Sequence, residues 1–131
     1  MIEFFMAMIP PTTTHQQKRA TICADGKVRF YEDEKLKAAR QKLTANLWKY
    51  KPKRMANGPV RLYVKWCFPI KGKRKDGEYK TTKPDTDNLN KLLKDCMTDV
   101  GFWKDDALVA SEIIEKFWAD IPGIYVRVEE I

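Results

Sequence analysis

Residues 60–68, Val-Arg-Leu-Tyr-Val-Lys-Trp-Cys-Phe, alternate without a slip. Val60, Leu62, Val64, Trp66 and Phe68 fall on one side of an extended chain, and Arg61, Tyr63 and Lys65 on the other. This is a strand with one face buried and a basic, aromatic face turned outward. It commits the chain to a sheet with something apolar laid over one side.

The covering elements are legible. Leu36, Ala39, Leu43, Leu47 and Tyr50 recur at helical spacing, which predicts a helix from Asp33 or Glu34 to about Tyr50. Leu89, Leu92, Leu93 and Cys96 form the stripe of a second helix, from about Asp87 to Thr98, stopping near Gly101. Ile2 to Ile9 reads as a strand halted by Pro10-Pro11, and Val28 to Tyr31 as a short strand. Ala107 to Trp118 reads as extended, with helix as the alternative, and Ile124 to Val128 as a last strand. Between them lie a polar loop (Thr12 to Lys27), a basic linker (Lys51 to Pro59) and a basic, glycine-punctuated loop (Lys71 to Gly77). The expectation is an α+β fold, a single compact domain over 1–131, with a mixed β-sheet and two main helices packed on it.

Composition narrows the chemistry. His15 is the single histidine, and Cys23, Cys67 and Cys96 are far apart. A zinc site, a disulfide framework and a Ser-His-Asp or Cys-His mechanism are therefore disfavoured. Cys67 and Cys96 sit among apolar residues and read as buried free thiols. The apolar start, MIEFFMAMIPP, lacks a basic leader and a cleavage site, and no apolar run approaches the ~20 residues of a membrane span. The expectation is a cytoplasmic protein with no membrane partner. Lys51 to Lys83 holds eleven Lys or Arg against two acids, a net of +9; the whole chain carries +7, which leaves −2 for the rest. Charge so concentrated favours a phosphate-binding surface over general solubility. Lys71, Lys73, Arg74, Lys75, Lys80 and Lys83 are the candidate DNA contacts.

Directly after that run comes KPDTDNLNKLLKDCMTDVGFWKDD, residues 83–106. Pro84 places Asp85 and Asp87 at the start of the second helix. A helix cap accounts for one of them. Two carboxylates so close repel each other unless a cation lies between them. Asn88, Lys91 and Asp95 share one polar helix face, which is also what an ordinary solvated face looks like. Asp105-Asp106 follow Phe102-Trp103, and a polar turn before a strand reads the same way. Taken together on a basic chain, these features point to a metal-assisted phosphodiester site. Carboxylate oxygens suit Mg²⁺, which polarises a phosphate and activates water. Asp85, Asp87 and Asp106 are the candidate ligands, and Lys91 the cation that stabilises transition-state charge. Phe102 and Trp103 are expected in the core, the alternative being a wedge inserted into DNA.

The same residues resemble the RusA family of Holliday-junction resolvases. The pattern is Asp-x-Asp-Asn-Leu-x-Lys, a further Asp, an aromatic turn with Asp-Asp, and a lysine ten residues on. Here it falls on Asp85, Asp87, Asn88, Leu89, Lys91, Asp95, Asp105, Asp106 and Lys116. The resemblance is strong over residues 83–116 and weaker in the N-terminal strand. It implies a RusA-like, homodimeric, Mg²⁺-dependent endonuclease of bacterial or prophage origin, with Mn²⁺ as a substitute ion and no nucleotide cofactor. Its substrate would be branched DNA, a four-way junction nicked symmetrically. It also implies catalytic roles for Asp85, Asp87, Asp106 and Lys91, and possible support from Asn88, Asp95, Asp105 and Lys116. A nuclease on forks or flaps, a junction binder that does not cut, and a small DNA-binding regulator are the alternatives.

One geometric expectation is independent of the resemblance. A helix from Asp87 to Thr98 is roughly 18 Å long, and the chain from Gly101 to Asp106 returns at most about 17 Å. Asp106 then barely reaches Asp85 within one chain. A partner subunit is expected to complete or brace the site, through apolar residues on an exposed face of the second helix or the first strand.

Overall fold

A computed structural model describes residues 1–14, 18–22, 24–32 and 34–131. Its centre is the alternating strand β4 (Val60–Pro69). On one side it pairs in parallel with β5 (Val109–Ala119), and on the other antiparallel with β6 (Gly123–Glu130). β6 in turn pairs antiparallel with β1 (Ile2–Met6), giving a mixed sheet of order β1-β6-β4-β5. A parallel neighbour requires a crossover between β4 and β5. That crossover contains the helix α2 (Thr86–Val100) and brings the acidic motif along with it.

The alternation sorts as expected. Val60, Leu62, Val64, Trp66 and Phe68 are buried, and they join Phe4, Met6, Ile124 and Val126 in one core. Two helices supply much of the rest. Leu36, Leu43 and Leu47 come from α1 (Glu34–Trp48), and Leu89, Leu92, Leu93, Cys96, Met97 and Val100 from α2. Burying a leucine stabilises the fold by about 1.5–3 kcal/mol, so α2 is anchored along its whole length. Its end is set by Gly101, whose φ of 107° few other residues tolerate; its N–H donates to the Met97 carbonyl at 3.0 Å. Phe102 and Trp103 are core residues and no wedge: both are buried, and the Trp103 indole donates to Thr98 Oγ1 at 2.7 Å.

Three expectations need correction. The polar stretch Thr12 to Lys27 contains a strand, β2 (Lys18–Ile22), paired antiparallel with β3 (Val28–Glu32). Lys-Arg-Ala-Thr-Ile carries no alternation of its own, so this strand depends on its partner and on the turn at Gly26, φ 80°. Cys67 is half-buried on the outward face, because the alternation that buries Trp66 and Phe68 turns it the other way; Cys96 is buried as expected. Finally, α2 exposes no apolar side chain, so of the two candidate interface elements only β1 remains, through the exposed Phe5. His15 and Cys23 lie outside the described residues. Among those residues no helix is long and apolar enough to cross a membrane.

Candidate active site

The site lies along the solvent edge of α2. Pro84, preceded by a cis peptide bond, leads into Asp85, the cap residue of the helix. Asp85 has an extended backbone (φ −74°, ψ 147°), and its carbonyl accepts from the Leu89 N–H at 3.1 Å. Its carboxylate makes no capping hydrogen bond and is exposed. Asp87 is also exposed, in the first turn, where the helix dipole favours negative charge. The simple capping account of Asp85 therefore fails: it holds the cap position without the capping hydrogen bond. Asp85 and Asn88 open into a small hollow of about 180 Å³ shared with Thr12, Thr14, Lys83 and Pro84.

One turn further along lies a second hollow, of about 390 Å³, lined by Lys91, Asp95, Thr98 and Asp99, by Arg40 of α1, and by Lys104, Asp105 and Asp106. Lys91 Nζ donates to Asp95 Oδ1 at 3.0 Å and stands 3.8 Å from Asp106 Oδ2. Asp95 also faces Arg40 Nη2 at 3.6 Å. The hydrogen bond to Asp95, and then the charges of Asp95 and Asp106, hold the Lys91 pKa above its ordinary value, so Lys91 is a firm cation. The neighbouring aspartates of the turn divide their work. Asp105 caps the 3-10 turn Asp106–Leu108, its Oδ1 accepting from the Ala107 N–H at 2.9 Å, while Asp106 faces Lys91.

α2 thus aligns Asp85, Asp87, Asn88, Lys91 and Asp95, and the return of the chain adds Asp106 beside Lys91. It does not bring the three candidate ligands together. Among the described residues no group of three His, Cys, Asp or Glu side chains is placed to hold an ion. Arg40 escaped sequence reading. It lies on the other helix, and only the packing of α1 against α2 brings it to Asp95.

The basic candidates divide in two. Lys71, Lys73, Arg74, Lys75 and Lys83 are exposed. Arg74 pairs with Glu78 at 3.2 Å. Lys80 is buried, its ammonium 4.2 Å from the centre of the Trp118 ring and 5.1 Å from that of Phe68. Lys116, near the end of β5, turns inward and donates to the carbonyls of Thr82 and Pro84 at 2.7 and 2.8 Å.

Exposed carboxylates beside a cationic lysine, on an α+β chain of net charge +7, suit chemistry on a phosphodiester backbone, the class of a nuclease. The chain belongs to the RusA family of endodeoxyribonucleases: the family model, described as Endodeoxyribonuclease RusA, matches residues 9–129. It is 35% identical to the crossover junction endodeoxyribonuclease rusA of Lactococcus phage r1t, over 82% of this chain and 79% of the phage protein. It is also 30% identical to the uncharacterized protein YqaN of Bacillus subtilis (strain 168), over 82% of each chain.

Proposed function

We propose that this chain is a Mg²⁺-dependent resolvase that acts as a homodimer and cuts four-way DNA junctions by paired symmetric nicks. The observation that carries the reading is the line Asp85, Asp87, Lys91, Asp106 along one edge of α2, with Lys91 held as a cation between Asp95 and Asp106. The phage relative, a crossover junction endodeoxyribonuclease, supports the choice of branched DNA.

The donor set fits a hard ion. Mg²⁺ keeps several waters and is commonly held by one or two carboxylates together with substrate phosphate. Asp85 and Asp87, exposed at the start of α2, meet that need, and Asp106 would be the third ligand. When bound, the ion supplies Lewis-acid polarisation of the scissile phosphate and activation of a water. In the reaction a water oxygen adds to phosphorus, one P–O ester bond breaks, and the leaving oxygen takes up a proton. Lys91 places its ammonium beside the phosphate and stabilises the negative charge that builds there. Asp95 holds Lys91 protonated and aimed. The exposed lysines of residues 71–83 attract the DNA arms and release counterions.

Two symmetric cuts require two active sites, and a second copy supplies the other one. That Asp85, Asp87 and Asp106 do not cluster within the described residues of one chain supports a partner that completes or braces each site.

The test is a nicking assay on a synthetic four-way junction, with linear duplex and a fork of the same sequence beside it. Paired nicks are expected in the junction alone, in Mg²⁺ but not in chelator. Equal cutting of the fork makes the protein a broader branched-DNA nuclease, and tight binding without cutting under any metal removes the enzymatic reading. Sedimentation of the active species checks the dimer: a monomer that retains full Mg²⁺-dependent cleavage refutes the shared site.

A further inference from the structure

Two of the basic side chains, Lys80 buried and Lys116 half-buried, are turned toward the peptide that carries Asp85. Residues 77–80 run antiparallel beside the end of β5: the Gly77 N–H donates to the Trp118 carbonyl at 2.8 Å, the Trp118 N–H to Glu78 at 2.8 Å, and the Lys80 N–H to Lys116 at 2.9 Å. The chain then crosses to α2 through residues 81–85. Lys116 reaches up from β5 and binds two carbonyls of that crossing, Thr82 and Pro84. Lys80, buried against Trp118 and Phe68, donates to Thr82 Oγ1 at 2.5 Å. An ammonium has three donors radiating from one nitrogen, so a single Lys116 head spans two carbonyls that a neutral side chain of similar length would leave apart. A buried ammonium is costly unless it is partnered, and Lys80 is partnered by a hydroxyl and two ring faces.

We infer that Lys80 and Lys116 are positioning residues: together they brace the 81–84 crossing and fix the direction in which Asp85 and Asp87 leave the start of α2. This inference rests on the reading of Asp85 and Asp87 as the acting carboxylates. It removes Lys80 from the DNA-contacting set, where its charge alone had placed it. The division is physical: an exposed lysine serves the phosphate backbone, whereas a lysine whose donors are spent on its own chain serves geometry. Lys116 is separated from Asp85 in sequence but lies one residue from it in space, through the Pro84 carbonyl.

The experiment compares Lys80→Met, Lys116→Met and Lys116→Arg with Lys73→Ala, by three measurements. Amide hydrogen exchange in the free protein is expected to speed up on the order of tenfold at Leu89, whose N–H is held by the Asp85 carbonyl, in the two Met variants, as a charge-assisted hydrogen bond is lost, and to move less in Lys116→Arg. The dependence of junction affinity on salt is expected to keep its slope in the Lys80 and Lys116 variants and to fall by about one in Lys73→Ala. The rate of cutting at saturating junction is expected to fall in the Met variants while junction affinity holds. Unchanged exchange at Leu89 together with a reduced salt slope overturns the inference and returns both lysines to the DNA surface. If a Met variant does not fold, Lys116→Arg carries the test: exchange at Leu89 faster than in the unaltered protein, but by less than about tenfold, is expected at an unchanged salt slope, and unchanged exchange or a lowered salt slope refutes the brace. Failure of the unaltered protein to cut junctions strikes the resolvase reading, whereas the exchange measurement strikes only the brace.

Discussion

The two hollows along α2 differ in their carboxylates: Asp95, Asp99, Asp105 and Asp106 line the second, and Asp85 alone lines the first. In the second, the carboxylates are answered from within the chain. Asp95 is held by Lys91 at 3.0 Å and Arg40 at 3.6 Å, Asp106 faces Lys91, and Asp105 caps a turn. In the first, Asp85 makes no capping hydrogen bond and is exposed beside Asn88, two threonines and the exposed Lys83. A carboxylate with an internal cation gains little from an external one, while a carboxylate without a partner at a helix start gains most. Under the proposed function the external cation sits at the start of α2, Asp106 reaches it from the second hollow, and Lys91 supplies a fixed positive charge next to it.

Charge replacements test that division. The largest effect is expected at the start of α2, where Asp85 lines the first hollow and Asp87 lies in the first turn. Asp85→Asn and Asp87→Asn keep the side-chain size and remove the ligand charge, so junction cutting should fall on the order of 10²–10³-fold or more, with junction affinity kept. Equal losses from Asp95→Asn would erase the distinction. Lys91→Met should come next, lowering the cutting rate by roughly 10²-fold. Because it acts on charge that develops in the reaction, the loss should appear at saturating junction and Mg²⁺. A loss that excess Mg²⁺ restores would instead place Lys91 in the service of ion binding.

How much of this the sequence carried depends on the distance over which each feature is decided. β4 and α2 were readable because their patterns lie within a few residues, and a period of two or 3.6 dictates which side chains are buried. β2 was not, because its pairing with β3 makes it a strand and its own residues do not. The acidic motif was legible as residue types. The partition of its work between Asp105 and Asp106 was not, since it turns on which carboxylate faces back to Ala107. Arg40 was missed, and the burial of Lys80 and the carbonyl contacts of Lys116 were not foreseen, for one reason. These contacts are set by packing between elements remote in the chain, and spacing within an element says nothing of that.

The smallest expected effects concern Lys91 itself, and they have opposite signs. Asp95 is the first cause of the raised Lys91 pKa, Asp106 adds to it, and Arg40 opposes it. A raised lysine pKa means that the protonated form persists to higher pH. Removing the Asp95 charge by Asp95→Asn should therefore draw the Lys91 titration, followed by carbon NMR at Cε, down toward its ordinary value of 10.5. The alkaline limb of cutting should move to lower pH with it. Removing the opposing charge by Arg40→Gln should move both upward, and by less, since Arg40 is the last of the named causes. Lys104, Asp99 and Asp105 line the same hollow and are left in place in both variants. Two shifts of the same sign would mean that the second hollow responds as a loose cluster rather than through the Asp95–Lys91 contact. Opposite signs would establish that contact as the device that keeps Lys91 charged beside the first hollow.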